Sequence, residues 1–250
     1  MNELILTTLF AALLTDLATG LGALPFIFVR DLSPRWQGRF AALAGGMMLS
    51  ASVFSLSGEA LQRGSPWELG LGMVLGALFL SAAARLLEGR HWKISGLSRE
   101  HSRKAILVLV AMSIHSFPEG VAIGVAYGTG ELDFGLLVAL AIAVHNIPEG
   151  IAISLPLRAK GASVAHCMFY SVLSSFPQPV AALPAVIAVS IFQKLLPAGL
   201  GFAAGAMIFL VIAELLPESL EEAGPKETAW WLIIGTTLML VLAVRPSADI

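Results

Sequence analysis

Apolar residues fall into eight long blocks along the chain, separated by short polar stretches. Each block approaches or exceeds the ~20 residues that a helix needs to cross the hydrocarbon core of a bilayer. Because backbone N–H and C=O groups in lipid must be bonded within their own segment, each block is predicted to be a helix. The predicted spans are 3–29, 38–60, 67–88, 104–128, 134–157, 162–189, 197–220 and 228–245.

The connections between these spans contain turn-forming glycine and proline, as in Gly64-Ser-Pro66 and Ala223-Gly-Pro225. The longest connection, 89–103, is polar and basic. The pattern predicts an all-α, polytopic membrane protein in which residues 1–250 form a single transmembrane domain. The segment 89–103 is predicted to be a cytoplasmic loop between the third and fourth spans.

Composition supports this prediction and excludes other classes. Hydrophobic residues make up 57% of the chain and charged residues 13%, against about 25% charged residues in soluble domains. A single cysteine, Cys167, excludes an intrachain disulfide and a cysteine-built metal site. No basic tract points to nucleic acid. The first apolar block is longer than the core of a cleavable signal peptide and has no basic segment before it.

The placement of lysine and arginine predicts that both termini lie outside, since basic residues concentrate in cytoplasmic loops. The first, third, fifth and seventh connections and their helix ends hold Arg30, Arg35, Arg39, Arg85, Arg90, Lys93, Arg99, Arg103, Lys104, Arg158, Lys160 and Lys226. The opposite side holds Arg63, Lys194 and Arg245. In a bacterium the membrane would be the inner membrane.

The fourth and fifth spans repeat one motif thirty residues apart. It reads His115-Ser-Phe-Pro-Glu119-Gly in the fourth span and His145-Asn-Ile-Pro-Glu149-Gly in the fifth. Residues four apart lie on one face of a helix, so each helix presents an imidazole and a carboxylate together. The two helices are consecutive and antiparallel, and their motifs are predicted to face each other.

Four ionisable groups inside a membrane need compensation, because each costs at least ~2.5–3.5 kcal/mol there. A divalent cation bound by His115, Glu119, His145 and Glu149 would supply it. Nitrogen and oxygen ligands suit Zn²⁺ and also Fe²⁺, Mn²⁺, Co²⁺ or Cd²⁺, whereas Mg²⁺ and Ca²⁺ prefer oxygen alone.

Other ionisable residues in the apolar blocks are candidates for a metal path through the membrane, because intramembrane charges are rarely without a function. They are Asp16, Glu59, His166, Glu214 and Glu218. Small residues four apart, Gly72 with Gly76 and Gly201 with Gly205, predict close helix contacts and permit a homodimer.

A metal site and a metal path inside a membrane indicate transport of the ion. Two other functions stay open at this point, those of a membrane metalloenzyme and of a metal sensor. The His-Glu-x-x-His pattern of zinc proteases is absent, as are the Glu-x-x-His pairs of di-metal oxidases. No phosphate-binding Gly-x-x-x-x-Gly-Lys motif is present, so coupling to ATP is not expected. No cofactor is predicted, and a metal ion would be the substrate.

The doubled motif resembles the fourth and fifth helices of ZIP (Zrt/Irt-like) metal transporters of the bacterial type. The resemblance extends to Ala18-Thr-Gly-Leu-Gly-Ala-Leu-Pro25, Ala44-Gly-Gly-Met-Met48 and Glu214-Leu-Leu-Pro-Glu-Ser219. It implies eight helices, with helices 1–3 and 6–8 forming an inverted repeat around the 4–5 pair. It also implies an elevator-type carrier of divalent metals toward the cytosol, not an enzyme.

The resemblance further implies a second metal position beside the quartet, at Ser116, Asn146 and Gln178. In this chain the extra carboxylate of that position is replaced by Gln178. Two cations close together with only two shared carboxylates would repel strongly. One dominant metal is therefore predicted, with Ser116, Asn146 and Gln178 as weak or indirect partners.

Overall fold

The computed structural model describes residues 2–29, 33–88, 99–158 and 161–243, and all regular structure in these ranges is helical. The helices are α1 (Asn2–Leu21), α2 (Pro34–Ser50), α3 (Ser57–Arg63), α4 (Pro66–Glu88), α5 (Arg99–Gly128), α6 (Leu132–Arg158), α7 (Val164–Ser175), α8 (Pro177–Ile191), α9 (Leu196–Leu210), α10 (Leu216–Glu222) and α11 (Pro225–Ala243). Of the predicted loop 89–103, residues 99–103 belong to α5, and 89–98 lie outside the described residues.

Several helices join into longer rods. A π-helical turn, Ala51–Leu56, connects α2 to α3, and another, Val211–Leu215, connects α9 to α10. Only Phe176 separates α7 from α8. In this way the short helices become long enough to cross a membrane.

Six stretches in the described part of the chain are long and apolar enough to span a bilayer. They are Asn2–Ile27, Pro34–Arg63, Pro66–Arg85, Leu132–Leu155, Val164–Ile191 and Gln193–Glu222. Large apolar side chains such as Phe10, Leu75 and Phe169 point outward, whereas Glu119 and His145 are fully buried. An apolar exterior around a polar interior is the arrangement of a multi-pass membrane protein.

The two π-helical turns have different local causes. Pro217 has no N–H to donate to the carbonyl of Ala213, and this favours a widened turn at Val211–Leu215. No proline stands within the first turns after Ala51–Leu56. There the hydroxyl of Ser57 donates to the Ser52 carbonyl (2.7 Å), a bond that bridges five residues.

Glycines allow the helix backbones to approach closely. A Cβ at Gly76 of α4 would lie 2.0 Å from the Phe202 carbonyl oxygen of α9, and one at Gly205 would lie 2.1 Å from that of Met73. The predicted contacts of these glycines are therefore confirmed, and they occur within one chain. Because these faces are already covered, they offer no surface to a homodimer.

The same arrangement joins α2 to α11. A Cβ at Gly46 would lie 2.1 Å from the Leu232 carbonyl oxygen, and a Cβ at Gly235 would lie 2.1 Å from that of Leu43. The most extensive helix pairs in the structure are α4 with α9, α5 with α8, α11 with α2, and α1 with α6.

Candidate metal centre

The two motif helices, α5 and α6, are brought together by their prolines and glycines. Pro118 and Pro148 lie within the helices and leave the carbonyls of Ile114 and Val144 without their usual helical donor. Gly120 and Gly150 mark the places where a third and a fourth helix approach. A Cβ at Gly120 would meet the Gln178 carbonyl oxygen at 2.2 Å, and one at Gly150 would meet that of Thr19 at 1.8 Å.

Three of the four predicted ligands form one cluster. Glu119, His145 and Glu149 each offer a ligand atom, and these atoms all lie within 4.8 Å of one another. Glu119 and His145 are 0% exposed and Glu149 is 7% exposed. Oxygen Oε1 of Glu149 is buried without a hydrogen-bond partner. Such an oxygen is costly unless it binds a cation or a proton.

The imidazole of His145 is fixed by its own helix. Its Nδ1 lies 3.0 Å from the Ala141 carbonyl oxygen, which can only accept, so the proton of the neutral ring is on Nδ1. Nε2 then carries a lone pair and lies 3.1 Å from Oε1 of Glu119. Two acceptors at this distance call for a positive charge between them, and a hydrogen-bonded imidazole is the usual form of a metal-binding histidine.

The fourth predicted ligand, His115, lies at the edge of this cluster. Its Nε2 is 2.9 Å from Oε2 of Glu214 in the π-helical turn. His115, Glu149, Glu214 and Glu218 line one cavity of about 140 Å³. The cavity extends to Gln37, whose amide donates to Glu218 (2.6 Å). The cavity therefore reaches from Glu149 of the cluster to the first turns of α2 and α10.

The residues of the expected second position form a hydrogen-bonded group beside Glu119. Gln178 Nε2 donates to Oε2 of Glu119, and Gln178 Oε1 lies 2.9 Å from the hydroxyl of Thr15. Asn146 Nδ2 donates to the Thr15 carbonyl (2.9 Å). Ser116 is fully buried.

The remaining path candidates lie apart from the cavity lining. Asp16 is buried, and its Oδ1 has no partner. Glu59 forms an ion pair with Arg63, which also pairs with Glu131. His166 is exposed and lies 2.8 Å from the hydroxyl of Ser163, through Nδ1. Their place in a metal path stays a prediction.

Two residues near the site are not among the residues predicted from the sequence. Met48 lines the cavity, and Thr15 holds Gln178. Met48 stands in the Gly-Gly-Met-Met segment that carried part of the family resemblance, and Thr15 precedes Asp16 in the first apolar block. A methionine or threonine in an apolar helix is common, so neither residue stood out.

An all-helical chain with several membrane-length helices and a buried His/Glu cluster defines a multi-pass membrane protein with a candidate metal site. The ZIP zinc transporter family model matches residues 88–243. The chain belongs to the ZIP zinc transporter family. As members of this family are transporters, the protein is not an enzyme.

Individual relatives agree with this assignment. The chain is 38% identical to zinc transporter GufA of Myxococcus xanthus, over 94% of this chain and 96% of that protein. It is 35% identical to zinc transporter ZIPB of Bordetella bronchiseptica, over 90% of this chain and 76% of that protein. A putative zinc transporter of Arabidopsis thaliana is 42% identical over 90% of this chain, which spans only 36% of the plant protein.

Proposed function

We propose that the chain carries divalent transition-metal ions, Zn²⁺ foremost, across the membrane toward the cytosol through His115, Glu119, His145 and Glu149. The observation that carries the proposal is the buried cluster of Glu119, His145 and Glu149 inside a membrane protein. Family membership supports transport of divalent metals as the activity. The test is metal uptake into proteoliposomes with a panel of competing ions, Fe²⁺, Mn²⁺, Co²⁺ and Cd²⁺ among them.

The ligand set balances tight binding against release. Two carboxylates neutralise the charge of the ion, and two neutral imidazoles complete a shell that is softer than oxygen alone. Binding has to remove water from the ion, yet remain weak enough for the ion to leave. Since protons compete with the metal for these ligands, uptake should decline at acid pH.

The cavity beside the cluster supports a release route along Glu214 and Glu218. His115 contacts Glu214 while it lines the same cavity as Glu149. We assign His115 two positions, one completing the shell around the ion and one toward Glu214. In this scheme the ion passes from the cluster to the carboxylate of Glu214 and then to Glu218, in the first turn of α10.

Replacing Glu214 with glutamine should slow transport while leaving metal binding largely intact. The amide keeps the size of the side chain but removes the charge that accepts the ion and holds His115. Hydrogen bonds to charged groups contribute about 1.5–3 kcal/mol, so we expect a roughly tenfold or greater loss of uptake rate. Initial rates in proteoliposomes measure this, alongside equilibrium binding of Cd²⁺.

The matched control is Glu221→Gln, which removes an exposed carboxylate from the same rod. Uptake by this variant should equal that of the unmodified protein. If Glu214→Gln transports as fast as the control, the release route is wrong, although the metal cluster could still be correct.

We also propose eight membrane spans with an inverted repeat of helices 1–3 and 6–8 around the 4–5 pair. The main helix pairs support this repeat. The pair of spans three and seven, α4 with α9, corresponds under the repeat to spans eight and two, α11 with α2. In the same way, the pair of spans four and six, α5 with α8, corresponds to spans five and one, α6 with α1. The π-helical turns support it too, because they lie in the second and seventh proposed spans.

The proposed orientation places both termini outside, in the inner membrane of a bacterium. Single cysteines introduced at Glu68 and Lys226 should react with impermeant reagents from opposite sides of the membrane, Glu68 from the outside. The native Cys167 is fully buried and gives a low background. Labelling of both positions from one side would contradict the topology. A homodimer stays a prediction.

A further inference from the structure

Gln178 lies fully buried where α8 meets the metal cluster, and its amide makes three contacts. Nε2 donates to Oε2 of Glu119. Oε1 lies 2.9 Å from the hydroxyl of Thr15 and 3.4 Å from Nδ2 of Asn146. All four side chains are at most 1% exposed. The group is thus shielded from solvent, and hydrogen bonds within it decide its geometry.

These neighbours determine which way the amide points. In the reverse orientation the amide oxygen of Gln178 would face the carboxylate of Glu119, and its NH₂ group would face the NH₂ group of Asn146. Both contacts would be repulsive. Asn146 cannot turn to relieve them, because its second N–H donates to the Thr15 carbonyl (2.9 Å).

Because the amide of Gln178 is fixed, the two oxygens of Glu119 have different partners. Oε1 lies on the side of His145, at 3.1 Å from Nε2. Oε2 is occupied by an N–H donor from Gln178. A carboxylate that bridges two metal ions through both of its oxygens offers one oxygen to each. Of the two oxygens of Glu119, Oε2 already accepts from the amide N–H of Gln178, and Oε1 faces the lone pair of His145.

We propose that Gln178 is a positioning residue that holds Glu119 as a one-oxygen ligand and so limits the centre to a single ion. The inference rests on the proposed function, because it takes Glu119 as a metal ligand. The partial positive charge of the amide N–H stands where a second cation would need to bind. Metal number is therefore set by an uncharged residue that does not itself contact the metal.

The experiment counts metal ions bound to purified protein in detergent after loading with Cd²⁺ or Zn²⁺. The unmodified chain should bind one ion. Gln178→Glu replaces the donor with a third carboxylate, which can share a second cation with Glu119, and should bind two ions.

A second variant tests positioning without adding a charge. Gln178→Leu removes the donor at similar volume and leaves Oε2 of Glu119 free to rotate. It should still bind one ion, with affinity lowered roughly 10- to 100-fold, the usual effect of losing a partner behind a metal ligand. Thr15→Val should lower metal affinity by less, about two- to tenfold. The effect is smaller because the Thr15 hydroxyl shares its one proton between Oε1 of Gln178 and the Ala12 carbonyl (2.8 Å).

Thr8→Val is the matched control for Thr15→Val. Thr8 is buried in the same helix, and its hydroxyl donates to the Leu4 carbonyl (2.7 Å) within that helix. The metal affinity of Thr8→Val should equal that of the unmodified protein. The proposal is overturned by two ions in the unmodified chain, by one ion in Gln178→Glu, or by unchanged affinity in Gln178→Leu. A chain that binds one ion but whose Glu119→Ala variant binds equally well contradicts the proposed function instead.

Discussion

Glu119→Ala should abolish metal uptake in proteoliposomes. The substitution removes the carboxylate that lies between His145 and Gln178, and with it half of the negative charge offered to the ion. Loss of a group that merely supports a metal ligand costs 10- to 100-fold in affinity, so loss of the ligand should reduce uptake at least ~100-fold. Initial rates of Zn²⁺ entry, read with a fluorescent indicator inside the vesicles, measure the effect.

Two comparisons make the result specific. Glu3→Gln changes an exposed carboxylate in α1 and should leave uptake unchanged. His145→Ala should resemble Glu119→Ala, because the two side chains belong to one cluster. Uptake at more than a tenth of the normal rate in both cluster variants would remove the basis for the proposed site.

Gly150→Ala should disrupt the fold as well as the site. The added Cβ would lie 1.8 Å from the Thr19 carbonyl oxygen, a backbone atom that cannot move unless α1 and α6 separate. Overpacking a core costs ~1–3 kcal/mol and sometimes more, and a collision with the main chain belongs at the upper end. We expect a lower midpoint of thermal aggregation in detergent and loss of uptake, because Glu149 is the adjacent residue.

Gly70→Ala provides the control for this variant. Gly70 also lies within a membrane-length helix, but a Cβ there meets nothing within 4 Å. Alanine favours helix by up to ~1 kcal/mol over glycine, so this variant should be as stable as the unmodified protein or slightly more. Equal thermal stability of the Gly150 and Gly70 variants would show that the close contact is not required.

The sequence places the candidate metal ligands in two helical pairs because the signal for each pair is local. His115 and Glu119 are four residues apart, as are His145 and Glu149, and helical geometry alone puts each pair on one face. The contact between His115 and Glu214 depends on how α5 packs against a distant helix. No local pattern encodes that distance, although Glu214 is among the residues predicted for the metal path.

The helices show the same division between local and distant information. Predicted span 38–60 falls inside the rod Pro34–Arg63, since apolar composition marks the part in lipid rather than the ends of the helix. The turn at Val211–Leu215 has a visible cause in Pro217. The turn at Ala51–Leu56 rests on serine hydroxyls, which adopt many arrangements in helices, and no sequence rule selects this one.

The glycines of the doubled motif make helix contacts that the sequence alone does not show. In the sequence, Gly120 and Gly150 directly follow the glutamates, but in the structure they contact the backbones of α8 and α1. Those contacts bring Gln178 up to Glu119, and Thr15 up to Gln178. The motif therefore combines the candidate ligands with the glycines at which α8 and α1 approach.

The closest backbone contacts of the glycines fall into two groups of helices. Wherever a Cβ would come within 2.5 Å of facing backbone in the described residues, the contact lies either among α1, α5, α6 and α8, with Gly22 just after α1, or among α2, α4, α9 and α11. Across the seam, Gly199 meets only the side chain of Val125, at 3.0 Å. Side chains can change rotamer, whereas interlocked backbones cannot pass each other. Glu119, His145 and Glu149 therefore lie together on one side of this seam, in the group of helices whose backbones interlock through Gly120 and Gly150.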